Sequence, residues 1–238
     1  MQPEPIEYRV RHSPRAKHVH VKVMPFDGVV VVVPRGFDVR VLPGLIEQHR
    51  AWITRKLALI ENTIGQANEA TAELPTVVNL RANDEAWHVR YTQTESRSVR
   101  VTATDTNELR VCGALDDSGR AVAALRRWLA RRARAHLTSR LDELSAAFDL
   151  PYARVSIRFQ RSRWGSCSTS GAISLNARLM FLPAHLVSCV MTHELCHTVH
   201  MNHGADFYAL LNALEPRHEA MRSELRDGWQ SLPRWALT

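Results

Sequence analysis

Apolar and polar residues alternate along His18, Val19, His20, Val21, Lys22 and Val23, and after Asp27-Gly28 an aliphatic run fills Val29 to Val33 and ends in Pro34. Alternation at period two, a tight-turn dipeptide and a second β-branched run predict a β-hairpin whose second strand is buried. The period then lengthens. From Val41 to about Asn62, Leu45, Ile46, His49, Trp52, Ile53, Leu57 and Ile60 recur at helical spacing with Arg and Lys between them, which predicts one amphipathic helix over 41–62. Glu61 to Pro75 loses that pattern, is rich in Ala, Thr, Asn and Glu, and reads as a linker.

Beyond the linker, Val77 to Val111 reads as several short strands, with Trp87, Val89 and Tyr91 alternating against polar residues. Asp116 to Leu150 is rich in Ala, Leu and Arg and predicts one long helix stopped by Pro151. Ser156 to Gln160 and Gly171 to Met180 read as strands joined by the compact segment Arg161 to Ser170, and Pro183 opens a last helical region. No repeat of fixed period organises the chain. The expected class is α+β, with a β-rich N-terminal module over 1–113 and a second domain over 114–238 that holds the long helix, a small sheet and the final helices.

A chain of 238 residues that is 45% hydrophobic can bury an ordinary core, which sets aside disorder as the overall state. The net charge of +7 is concentrated at Arg120, Arg126, Arg127, Arg131, Arg132, Arg134 and Arg140. Such a basic helix over 120–140 offers a surface to nucleic acid, although a long cationic helix is also an ordinary solvated face. Met1 to Lys22 carries several charges and no apolar run of secretory length, and the longest aliphatic run is too short to cross a bilayer. A cytoplasmic protein with no membrane partner is therefore expected. Cys112, Cys167, Cys189 and Cys196 show no C-x-x-C pairing and read as free, mostly buried thiols.

The chemistry enters at His193-Glu194-Leu195-Cys196-His197, an H-E-x-x-H sequence. Two histidines four apart on an α-helix lie about 40° apart around the axis and roughly 6 Å apart along it, so both imidazoles can meet one ion. Zn²⁺ accepts neutral imidazole nitrogen and tolerates four-coordination with one position left for water, and one Zn²⁺ per chain is expected. Glu194 stands beside the first ligand, where its carboxylate can take a proton from that water. Val187, Met191, Leu195 and Val199 step by four and form an apolar stripe roughly opposite the histidines, so one side of the helix faces the core and the other a metal.

A catalytic zinc usually takes three protein ligands. His203 follows His193 by ten positions, which on an unbroken helix would turn it away, so the helix must end between them. Asn202 is a candidate left-handed terminator and Gly204 a flexible neighbour, and a turn there would swing His203 back over the metal. His200 shares the face of the pair, but three ligands strung along about 10 Å of one helix converge poorly. Its better role is hydrogen-bond donor to substrate. Glu215 and Glu219, in a later helical segment, are not excluded as ligands by spacing.

Other residues suggest parts of a hydrolytic site. Arg163, His200 and Tyr208 are candidate donors to the developing oxyanion, and Asn176 is a candidate substrate contact. The strand Ala172 to Asn176 could pair edge-on with an extended peptide, which would favour unfolded protein segments as substrate. Trp164 and Gly165 shape a turn beside the cleft, Cys167 could cap the metal as a thiolate, and Asp206 could orient a ligand imidazole. Hydrolysis of a non-peptide amide, or a nucleic-acid module built on a structural zinc, are the competing readings.

Arg163-Trp164-Gly165-Ser166-Cys167-Ser168, then Ile173-Ser174-Leu175-Asn176 and Leu179, then Pro183, then His193 to His197 and Asn202-His203 stand in an order that resembles the YgjP-like zinc metallopeptidases of the wider zincin group, related to SprT-like and WLM-type proteases. Arg15-Ala16-Lys17-His18-Val19, Val32-Val33-Pro34-Arg35-Gly36-Phe37 and Trp52-Ile53 extend the resemblance toward the N-terminus. It implies a zincin-like domain in which His193, His197 and His203 bind zinc and Glu194 is the catalytic glutamate.

Overall fold

The alternating N-terminal stretch pairs as expected in a computed structural model, which describes residues 6–14, 16–24, 28–65 and 74–237. Strand β2 (His20–Met24) runs antiparallel to β3 (Gly28–Val33), and a further strand, β1 (Tyr8–His12), lies parallel on the other side of β3. Asp27 of the predicted turn and Arg15 of the family resemblance lie outside the described residues, while Gly28 has φ +63°. Central β3 turns Val29, Val31 and Val33 inward against Leu42, Ile46 and Ile53.

Those last three residues come from two helices and not one, α1 (Leu42–Gln48) and α2 (Arg50–Gly65). The break is at His49, whose φ of −99° and ψ of 5° flatten the turn while its N–H is shared between the Leu45 and Ile46 carbonyls. Helical bonding resumes when Ile53 N–H reaches the His49 carbonyl at 2.9 Å. Trp52, on the predicted apolar face, is 42% exposed. Helix α2 also runs into the stretch read as a linker, of which residues 66–73 lie outside the described residues.

The chain divides into two compact units, Met1–Thr71 and Ala72–Thr238. The expected boundary at 113 is therefore displaced to the linker. The reason is packing: strands β4 (Val77–Leu80), β5 (Glu85–Gln93), β6 (Arg100–Ala103) and β7 (Glu108–Gly113) form a sheet of order β4-β5-β7-β6 that shares a core with the long helix α3 (Ser118–Phe148). Val78, Leu80, Trp87, Val89, Leu109 and Val111 meet the stripe Ala121, Leu125, Trp128 and Leu129 of that helix. Asp117 caps α3 by accepting from Gly119 N–H at 2.9 Å. The helix ends at left-handed Asp149 (φ 53°), ahead of Pro151, so the proline is not what stops it.

The arginines of α3 are largely spent within this unit. Arg132 pairs with Glu85, Arg127 donates to the Val99 carbonyl at 3.2 Å, Arg126 lies 4.4 Å over the Phe159 ring, and Arg140 reaches both Glu143 and Ser188. The reading of 120–140 as a nucleic-acid surface finds no support in this arrangement.

A second small sheet follows, of order β8-β10-β9, from β8 (Arg154–Arg158), β9 (Gly165–Cys167) and β10 (Ala172–Asn176). Two expectations change here. The strand read as reaching Met180 stops at Asn176, which caps a 3-10 turn over Ala177–Phe181, and the segment between the predicted strands contains one of its own, β9. Because β10 is hydrogen-bonded on both sides, it has no free edge to receive a peptide. Helices α4 (Ala184–Cys196), α5 (Ala205–Leu214) and α6 (His218–Asp227) complete the unit. Among the described residues no helix is long and apolar enough to cross a membrane.

Candidate metal centre

Helix α4 buries Val187, Met191 and Leu195 as the stripe predicts, but it ends at Cys196, and Val199 beyond it is 56% exposed. The turn closes through Thr198 N–H and hydroxyl donating to the Leu195 carbonyl and His200 N–H donating to that of Cys196. Gly204 N–H then bonds the Asn202 carbonyl at 2.9 Å, and α5 begins. Asn202 is not left-handed; among the described residues the non-glycine positions with positive φ are Asp84, Asn107 and Asp149. The reversal that sequence demanded comes from tight main-chain turns directly after His197.

Its effect is to bring His203 over the helix end. Ligand-capable atoms of His193, His197 and His203 all lie within 4.8 Å of one another, and the Nε2 atoms of His193 and His203 are 3.1 Å apart. Fully buried Phe207, on α5, backs all three rings with centroid separations of 4.6 to 5.0 Å. His197 Nδ1 is 3.0 Å from the His200 carbonyl; as an N–H it donates there and leaves Nε2 lone-paired toward the other two imidazoles. Burial, reinforced by His197, His203, His218 and Arg222, pushes His193 down to about 4, and burial with His197 and Arg222 lowers His203. Both are thus neutral imidazoles, the form a metal requires.

Glu194 is 6% exposed, and its Oε2 has no hydrogen-bond partner. Burial lifts its carboxyl to about 7, against the opposing pull of Arg163 and of the Cys167 N–H that bonds it. A cation held by the adjacent imidazoles would counter that lift. The geometry of β9 explains the placement. Asn176 N–H bonds the Trp164 carbonyl and Ser168 N–H that of Ala172, so residues 164, 166 and 168 bond β10 and residues 165 and 167 point their main-chain groups to the outer edge. Gly165 is there pressed on the carboxylate: a Cβ at this position would stand 2.6 Å from Glu194 Oε1 and 2.7 Å from its Cγ.

The remaining candidates separate. Tyr208 lines a cavity of about 380 Å³ with His193, Glu194 and His203. Arg163 is exposed and acts on Glu194 by charge. His200 contributes its carbonyl, and its imidazole is not one of the converging three. Glu215 caps the end of α5 and accepts from Arg217 N–H, and Glu219 lines the cavity beside Arg222; neither belongs to the imidazole cluster. Asp206 is exposed in the first turn of α5, and Cys167 lies near Glu194 with burial, then the Glu194 charge, raising its thiol. Sequence reading missed Phe207, His218 and Arg222, because periodicity shows that a residue faces inward and not what it faces.

Asn176 is fully buried and its side chain is committed to the main chain: Nδ2 donates to the Gln160 and Arg163 carbonyls at 2.7 and 2.9 Å, and Oδ1 accepts from Arg178 N–H. It holds the loop before β9 and is not available to substrate. Asn176→Ala should therefore lower the unfolding free energy by about 1–3 kcal/mol while leaving KM unchanged for the protein that remains folded. Denaturant titration beside steady-state kinetics would show this, and a raised KM at unchanged stability would restore the contact role.

The chain matches the family described as YgjP-like, metallopeptidase domain, over residues 17–228. Among solved structures it is similar to the metallopeptidase zymogen of Pyrococcus abyssi abylysin, at 18% identity, over 37% of this chain and 90% of that one, with a TM-score of 0.35. No curated protein matches it.

Proposed function

The chain belongs to the YgjP-like metallopeptidase family, and we propose that it is a zinc-dependent peptidase in which His193, His197 and His203 hold the metal and Glu194 is the general base. The observation that carries this reading is the convergence of three imidazoles beside a buried carboxylate whose Oε2 is unpartnered. Three imidazole nitrogens would leave a four-coordinate ion one open position, which suits a catalytic zinc; a structural zinc normally takes four protein ligands.

A zinc ion held by His193, His197 and His203 would supply Lewis-acid chemistry, acidifying water toward a pKa of ~7 and polarising a substrate carbonyl. Glu194 then accepts the proton of the attacking water at Oε2 and delivers it to the departing amide nitrogen. Gly165 and the Cys167 N–H hold that carboxylate in place, since one leaves room for it and the other bonds it. Tyr208 is assigned to favour the oxyanion because it lines the cavity, and Arg163 because its charge reaches Glu194; His200 instead fixes the His197 ring through its carbonyl. The substrate is a peptide or an unfolded protein segment.

Removal of the metal tests this reading. Chelation should abolish hydrolysis of a denatured protein substrate, and one equivalent of zinc per chain should restore it. Metal-free protein that hydrolyses at the untreated rate would rule it out.

A further inference from the structure

The cavity beside the imidazoles extends beyond what the hydrolytic chemistry uses. Its inner wall is apolar and drawn from four elements: Trp164 ahead of β9, Cys189 and Val190 on α4, Leu211 on α5 and Leu225 on α6. Trp164, Cys189, Val190 and Leu211 are each at most 8% exposed. The wall is also firm, because Trp164 donates its indole N–H to the Leu225 carbonyl at 2.9 Å and stacks on Trp229 at 4.2 Å.

We propose, resting on the peptidase reading above, that this cavity is the specificity subsite for a large apolar side chain of the leucine or phenylalanine type, from one of the two residues flanking the scissile bond. Position supports the assignment. Glu194, His193 and His203 line the same space, so a peptide whose carbonyl sits at the catalytic carboxylate has a neighbouring side chain within its reach. Size permits it, since about 380 Å³, shared with the space beside His193, Glu194 and His203, leaves room for one large side chain.

Charge argues against the alternatives. Apart from His193, Glu194, His203 and Tyr208 at the catalytic end, the polar side chains on the wall come from α6: His218 Nε2 is 2.8 Å from Asn212 Oδ1, and Arg222 stands 3.7 Å from Glu219, these last two being mostly solvent-exposed. Burial keeps the Cys189 thiol protonated by pushing it up to about 11. A charged substrate residue seated among Trp164, Cys189, Val190 and Leu211 would lose its hydration with only apolar side chains and a neutral thiol around it.

The test is to incubate the zinc-loaded full chain with a mixed-sequence peptide library and read the cut sites by mass spectrometry. Leucine, methionine or phenylalanine should dominate one position next to the cut, with kcat/KM about tenfold or more above the matched alanine peptide. Val190→Phe fills the cavity and should move the preference to alanine and glycine. Leu225→Ala enlarges the cavity at its α6 side and should favour tryptophan, which keeps the test decisive if the first variant does not fold. Cutting without side-chain preference, or a preference that neither variant alters, overturns the subsite. Failure to cut any peptide would instead overturn the peptidase reading itself, and the subsite with it.

Discussion

Glu194→Gln is expected to lower kcat by about a hundredfold to ten-thousandfold while the bound metal stays at the wild-type level. Glutamine keeps the size of the side chain and can still accept from the Cys167 N–H, but its amide has no basic oxygen with which to take a proton from water. The imidazoles are not altered, so metal analysis and turnover should part company. A variant that turned over as fast as wild type would place the base elsewhere.

Gly165→Ala should have the second largest effect. Gly165 is not among the glycines with positive φ, so alanine is permitted by the backbone and meets only what surrounds it. What surrounds it is the Glu194 side chain: the new methyl would lie 2.6, 2.7 and 2.9 Å from its Oε1, Cγ and Cδ. Real side-chain atoms do not approach so closely, so the carboxylate must swing away, and a displacement of about 1 Å at a catalytic group costs on the order of a hundredfold in rate. The expected result is a hundredfold drop in kcat with metal content unchanged. Wild-type activity would mean that Glu194 works from another position than the one it occupies.

The H-E-x-x-H helix could be read from spacing, since two imidazoles four apart share a face whatever surrounds them. So could the need for a bend before His203, because the coordination number of zinc is independent of fold. Which residue makes the bend could not. Asn202 has the preference for a left-handed turn, yet the chain reverses through main-chain bonds to the Leu195 and Cys196 carbonyls, and Val199 leaves the apolar stripe because the helix has already ended. Preference is a weak constraint beside the requirement that three rings pack against Phe207.

Strand pairing shows the same limit. Alternation marked Ala172 to Asn176 as a strand but carries no information about its neighbours, and the partner that takes away its free edge, β9, is only three residues long. The boundary expected at 113 failed for a related reason. The helical character of α3 was plain in its Ala, Leu and Arg content, while the sheet it covers, β4 to β7, is identified only by the shared core. Gly165 lay inside the stretch that carried the family resemblance, but its purpose emerges only when Glu194 is placed against it.

The central claim is that His193, His197 and His203 together hold one zinc ion, and metal content tests it most directly. Purified wild-type protein should carry one zinc per chain, and His193→Ala, His197→Ala and His203→Ala should each lose it while remaining folded by circular dichroism. Retention of a full equivalent of zinc by His203→Ala, with undiminished affinity, would contradict the three-histidine site.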